Sequence, residues 1–164
     1  MNLTVSDGFP YYISLVGPSN LNQLFRSDVN FKLFSSLTEE QVNYRYAPGK
    51  WSIKQIIGHI TDHERIMTYR ALRFSRKDTT ALPGYDQDLM VDNSRFNELD
   101  VKDLLVDFKN VRQATLSLMN SFSKEQLELK GQAWKYNLTV EEFLKATIGH
   151  EMHHMNVTKE KYLK

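Results

Sequence analysis

Four short polar signatures, each followed by residues that favour a helix, confine this 164-residue chain to a helical fold. Thr38 with Gln41, Ser52 with Gln55, Ser123 with Gln126 and Thr139 with Glu142 are capping boxes. In such a box the first side chain accepts the third backbone N–H of the new helix, and the later one reaches back to the cap's own N–H. After Ser52 the apolar positions Ile53, Ile56, Ile57, Ile60, Met67, Ala71 and Phe74 share one helix face, predicting a long helix that ends near Arg76. After Thr139, Val140, Phe143, Leu144 and Thr147 recur at the same spacing, and this helix is expected to run almost to Lys164. Asp100 is a plausible cap for a third helix with a stripe of Leu104, Leu105, Phe108, Val111, Thr115, Met119 and Phe122. Pro18 to Asn20 open a first helix whose stripe, Leu21, Leu24, Phe25, Val29 and Phe31 to Leu33, reaches about Ser36.

The remaining segments are shorter. The box at Thr38 opens a turn of helix before the Ala47-Pro48-Gly49 break, and the box at Ser123 opens a short segment that Gly131 closes. Residues 1–16 read as an arm packed through Phe9, Tyr11 and Tyr12. Residues 77–97 form a long ordered connection with a Pro83-Gly84 turn and the anchors Tyr85 and Phe96. With no convincing strand alternation, four long helices imply an all-α four-helix bundle, one domain over residues 1–164.

Composition excludes several functions. Hydrophobic residues are 41% and charged residues 25%, ordinary for a globular chain long enough to bury a core. A net charge of +1 with scattered basic residues gives no footprint for nucleic acid or an anionic membrane. No apolar run approaches the roughly 20 residues of a membrane span, and MNLTVSDGFPYY lacks the pattern of a signal peptide, so a cytoplasmic location is expected. There is no cysteine, so any metal must be held by His, Asp or Glu.

The histidines fall in two clusters, His59/His63 and His150/His153/His154, both inside predicted helices. His150 and His154 lie four apart, one turn up one face, where two imidazoles can reach one ion. With Glu151 they spell H-E-x-x-H, the zincin signature. The context does not fit a zincin, because Val157 stands where the downstream glycine belongs. A third ligand must therefore come from upstream, and the helix after Ser52 has the histidines. Periodicity alone does not choose between His59 and His63: helical-wheel arithmetic puts His63 nearer the centre of its stripe, His154 nearer the centre and His150 toward the edge. His153 points away and is expected to be exposed.

Three blocks, KWSIKQIIGHITDHERIMTYRALRFSR (Lys50–Arg76), LPGYDQD (Leu82–Asp88) and TIGHEMHHMNV (Thr147–Val157), closely resemble the DinB-like superfamily of four-helix metal proteins. The resemblance implies an up-down-down-up bundle with a divalent metal, zinc or nickel first, on His59, His150 and His154. It also implies a low-molecular-weight thiol as co-substrate, since relatives include bacillithiol S-transferases and mycothiol-dependent enzymes, and it implies a homodimer. The sequence departs from the family at His63, where relatives usually have a small or polar residue. His63 is kept as a fourth ligand or a partner of one, with Asp62 as a further neighbour of the ligands.

Wheel arithmetic also places Glu64, Arg112 and Glu151 near the middle of their stripes. Unpaired buried charges are costly, so Arg112 is expected to bridge the two carboxylates beneath the metal, and one carboxylate to orient a ligand imidazole. Glu151 as general base is the weaker reading. Gly58 and Gly149, each just before a candidate ligand, read as points of close helix approach.

Three chemistries stay open. A metal-bound thiol becomes a thiolate and gives an S-transferase acting on small electrophiles. A metal-bound water gives a hydrolase. A closed site, with His63 as fourth ligand, gives a non-catalytic metal-stabilised stress or dimerisation protein. An open site in a pocket lined by Tyr85, Trp51 or Trp134 would favour catalysis on a small molecule.

Overall fold

The computed structural model describes residues 3–163. After a 3-10 turn at Val5–Asp7 come α1 (Phe9–Val16), α2 (Leu21–Arg26), α3 (Val29–Ser35), α4 (Glu39–Asn43) and the long α5 (Ile53–Ser75). A connection carrying α6 (Gln87–Asp92) and a 3-10 turn at Phe96–Glu98 leads to α7 (Val101–Asn120). Then α8 (Lys124–Glu128) and an antiparallel hairpin, β1 (Lys130–Ala133) with β2 (Tyr136–Thr139), precede α9 (Val140–Val157), which continues into a π-helical turn at Thr158–Tyr162. All four capping boxes form, and Asp100 caps α7 by accepting the Lys102 N–H.

The long α5 packs against α7 and α9, and α2 with α3 occupies the fourth corner between α7 and α9. Two apolar clusters fill the bundle. One contains Phe25, Met67, Phe74, Leu116, Phe143 and Ile148, and the other Phe31, Ile53, Ile60, Leu105, Phe108 and Met155. Following each helix from cluster to cluster gives its direction. The helices α5 and α7 both leave the second cluster for the first, whereas α9 and the α2–α3 pair run the other way. This is the up-down-down-up four-helix bundle. Because α5 and α7 are parallel, the chain between them must retrace α5, about 35 Å at 1.5 Å per residue. That distance is why the connection is long.

The clusters do not touch everywhere. Between them lies a layer of buried polar side chains, His59, His63, Glu64, Arg112, His150 and Glu151. Burying six such groups is costly unless they satisfy one another or a ligand.

Four local features differ from the sequence expectation. The first helix is broken: Ser27 turns extended (φ −65°, ψ 133°), and the Val29 N–H bonds the Ser27 hydroxyl instead of the Phe25 carbonyl. The N-terminal arm is a helix, α1, with Pro10 in its first turn and Gly17 at its end, lying on α9. The long connection holds α6, capped by Asp86. Gly131 does not close a helix. It sits in β1, where a Cβ would collide with the Phe74 ring. No helix among the described residues is long and apolar enough to cross a membrane.

Candidate metal centre

Three imidazoles converge in the polar layer. His59 comes from the second turn of α5, and His150 and His154 come from successive turns of α9. The Nε2 atoms of His59 and His150 are 3.0 Å apart, and those of His154 and His150 3.1 Å. His150 Nε2 has one in-plane site, either a proton or a lone pair, so it cannot hydrogen-bond both neighbours through that site. A cation among three lone pairs satisfies all of them. Metal–nitrogen bonds of about 2.0–2.1 Å at tetrahedral angles put neighbouring donors about 3.3 Å apart, close to what is found. Burial holds His59 down to about 4 and His150 and His154 well below the ordinary histidine value. All three are thus neutral near pH 7, the form that binds a metal.

Helix geometry explains the pairing on α9, and tight packing positions it. Gly149 lies against α1 so closely that a Cβ would collide with the Tyr12 carbonyl. Gly58 lies against the Phe96 ring in the same way. The approach of α1 brings the Tyr12 ring edge-on to His150 at 5.2 Å. It also covers His153, whose Nδ1 is 3.2 Å from the Tyr11 hydroxyl. His153 is therefore half-buried rather than exposed. For the same reason His150 is more buried than His154, against the wheel arithmetic. The wheel could not count a helix that the sequence had not revealed.

His63 is adjacent to the cluster but stands in a different geometry. Its ring stacks face to face on His150, with centroids 3.7 Å apart, and its Nδ1 is 2.6 Å from the Tyr85 hydroxyl. A stacked ring offers its π-face to the neighbour and not a lone pair. The converging nitrogens are those of His59, His150 and His154. Asp62 is half-buried and accepts a hydrogen bond from Arg65 at 3.2 Å, outside the converging group.

Beneath the histidines Arg112 joins two carboxylates. Its Nε and Nη2 donate to Glu64 at 3.0 and 2.9 Å, and Nη2 also donates to Glu151. Asn30 donates to the other Glu151 oxygen at 2.6 Å. Arg112 Nη1 donates to the Phe25 carbonyl at 3.2 Å, the acceptor released by the break between α2 and α3. Arg112 is 3% exposed, and the two acids hold its pKa up despite burial. Burial pushes the Glu151 carboxyl up, opposed by Arg112. Neither carboxylate bonds a ligand imidazole: His150 Nδ1 is buried without a partner. One residue along a helix is a turn of about 100°, which carries Glu151 away from the imidazoles. With both oxygens engaged, it is not placed as a general base.

Two clefts flank the centre. One, of about 660 Å³, is lined by His63, His150, Arg70, Tyr85, Tyr12 and Trp134 among others. The other, of about 540 Å³, is lined by His153, His154, Trp51, Tyr46 and Lys50 among others. The wall of the first is built by the connection after α5. The Leu82 N–H and C=O pair with Gln132 and Trp134 at 2.9 and 2.8 Å, pinning that segment to the hairpin. Sequence reasoning missed Arg70 and Tyr12 as cleft residues. The Gly8-Phe9-Pro10 start and Gly17-Pro18 stop could have revealed the helix that carries Tyr12.

This fold has known counterparts. A protein of Oceanobacillus iheyensis named as a candidate metal-dependent hydrolase is 25% identical over 126 residues, 74% of this chain and 70% of the relative. The solved structure of YfiT from Bacillus subtilis, described as a candidate metal-dependent hydrolase with an unusual four-helix-bundle topology, superposes with a TM-score of 0.69. It is 16% identical, and the match covers 98% of this chain and 91% of that one. At that identity YfiT speaks for the fold alone. The sequence profile of the DinB superfamily matches residues 26–157, from the end of α2 through α9, and the chain belongs to that superfamily.

Proposed function

We propose that the protein is a metal-dependent hydrolase of small molecules, with His59, His150 and His154 holding one divalent ion, zinc or nickel. The carrying observation is the convergence of three neutral Nε2 atoms beside a cleft, and the hydrolase name of the Oceanobacillus relative supports it. An ion on three imidazoles supplies a polarising Lewis acid with a remaining position for water or substrate. The chain's own residues do the rest. Phe9, Trp134 and Tyr136 give the cleft apolar walls. Tyr85, pushed up to about 12 by burial, keeps its proton and shares a hydrogen bond with His63. A protonated hydroxyl at the cleft wall can hold a substrate oxygen or reset the tautomer of His63.

Thiol S-transfer is the second reading. It is favoured by the aromatic walls, which suit an apolar electrophile, and by a chain without cysteine, which would take its thiol as co-substrate. Protein loaded with zinc or nickel, assayed for hydrolysis of p-nitrophenyl acetate and for conjugation of cysteine to 1-chloro-2,4-dinitrobenzene, separates the two. Ion-dependent hydrolysis that disappears in His150→Ala supports the hydrolase, and ion-dependent conjugation alone supports transfer. Neither activity, with unfolding on chelation, would make the metal structural. The homodimer carried by the resemblance is checked by sedimentation of the loaded protein.

A further inference from the structure

Arg70 is a buried cation with no carboxylate partner among the described residues. It lies on α5 two turns beyond His63 and is 4% exposed. Its Nη2 donates to the Pro83 carbonyl at 2.8 Å, its Nη1 leans on the Met67 sulfur at 3.5 Å, and its guanidinium lies 5.7 Å from the Tyr85 ring centroid. Among the described residues no carboxylate forms an ion pair with it. Arg112, buried to the same degree, has two. Burial accordingly pulls the pKa of Arg70 down, with no carboxylate beside it to oppose the shift. A guanidinium has five N–H donors. The Arg70 Nε has no hydrogen-bond partner among the described residues and is not sealed off from solvent, and Arg70 lines the cleft.

We propose that Arg70 is the anion-binding residue of this cleft and that the molecule acted on there carries a carboxylate. The planar fork of arginine matches a carboxylate through two parallel hydrogen bonds. A single negative charge fits better than a phosphate dianion, because among the described residues Arg70 is the one basic side chain other than the neutral histidines lining the cleft, and Asp86 adds a negative charge to that lining. Asp86 is itself held by the α6 N-terminus, accepting from Leu89 at 3.0 Å. Seven residues of helix separate His63 from Arg70, about 10 Å along the axis. The ligand therefore has its carboxylate at one end and its reacting group near His150 at the other. That it reacts rests on the hydrolase reading, whereas the carboxylate site does not.

The test is titration of benzoate and its neutral isostere benzamide, followed by Trp134 fluorescence, on metal-loaded and chelated protein. Benzoate is expected to bind both forms, at least about tenfold more tightly than benzamide, the effect of one charge-assisted hydrogen-bonded pair. Arg70→Met should weaken benzoate by at least about tenfold, leave benzamide unchanged and keep wild-type metal content. Arg70→Lys, which retains the charge and loses the fork, should recover part of the affinity. Equal affinity for the two probes, benzoate binding unmoved in Arg70→Met, or benzoate binding only the metal-loaded form would each overturn the assignment. If Arg70→Met does not fold, the benzoate-to-benzamide ratio of the wild type and the Arg70→Lys result decide. If benzoate binding depends on Arg70 while no ion or hydrolysis is found, the hydrolase reading fails and the carboxylate site stands.

Discussion

Arg112 has a demanding position, because its removal strands two buried acids. Breaking a buried ion pair by deleting one partner costs about 3–5 kcal/mol, while replacing the whole set with apolar groups is often neutral. Arg112→Leu is therefore expected to lower the melting temperature by roughly 10 °C. Adding Glu64→Leu and Glu151→Leu to it should restore most of that loss. A single variant as stable as wild type would mean that the charges are not buried together. At this scale the sequence was informative where the pattern was broken: a charge in the middle of an apolar stripe has to find its opposite, and Glu64, Arg112 and Glu151 do. It was uninformative about direction. The periodicity of α5 does not choose His59 over His63, the family resemblance points to His59, and the backbone path shows that ring converging and the His63 ring stacked. Metal analysis checks that distinction: His59→Ala and His154→Ala should lose near-stoichiometric zinc or nickel, and His63→Ala should retain it.

Among the elements, α1 has a structural effect disproportionate to its length. It lies on α9 at Gly149, where an alanine methyl would collide with the Tyr12 carbonyl, a backbone atom that cannot swing aside. Alanine in a helix gains about 1 kcal/mol over glycine, but overpacking costs about 1–3 kcal/mol. Gly149→Ala should accordingly be neutral or destabilising, and faster amide hydrogen exchange in α1 would locate the damage. Gly58→Ala meets a ring instead, and Phe96 can give by rotation, so this variant should be the milder of the two. The long helices were legible because caps and stripes agree. The short elements were not. The two-residue turn between β1 and β2 is Trp134-Lys135, with Trp134 at φ 53°, a position where asparagine or glycine would have signalled a hairpin. The break between α2 and α3 is compensated by Arg112, eighty-seven residues away, which takes the freed Phe25 carbonyl. No local pattern contains that partner.

For the whole molecule, the polar layer lies between the two apolar clusters, and its histidines are expected to make stability depend on metal and on pH. An ion bound only to the folded state adds about 4 kcal/mol at a thousandfold excess over its dissociation constant. Chelation should therefore lower the melting temperature by roughly 10 °C. Acid should act on the stripped protein in a defined window. His59 is depressed from 6.5 to about 4 by burial, so below 6.5 the unfolded chain takes up a proton that the folded chain refuses. Its contribution is present in full above pH 6.5 and is lost as pH falls toward 4, in step with His150 and His154, which are shifted the same way. Urea unfolding of chelated protein between pH 8 and pH 4 measures this directly. Wild type should lose stability progressively below pH 6.5, and His59→Phe should lose less, since it removes one of the protonating groups. Equal slopes would place the His59 imidazole in contact with water and not within the packed layer. The metal-loaded protein should hold its stability to lower pH than the stripped one, because the ion and the protons compete for the same three lone pairs.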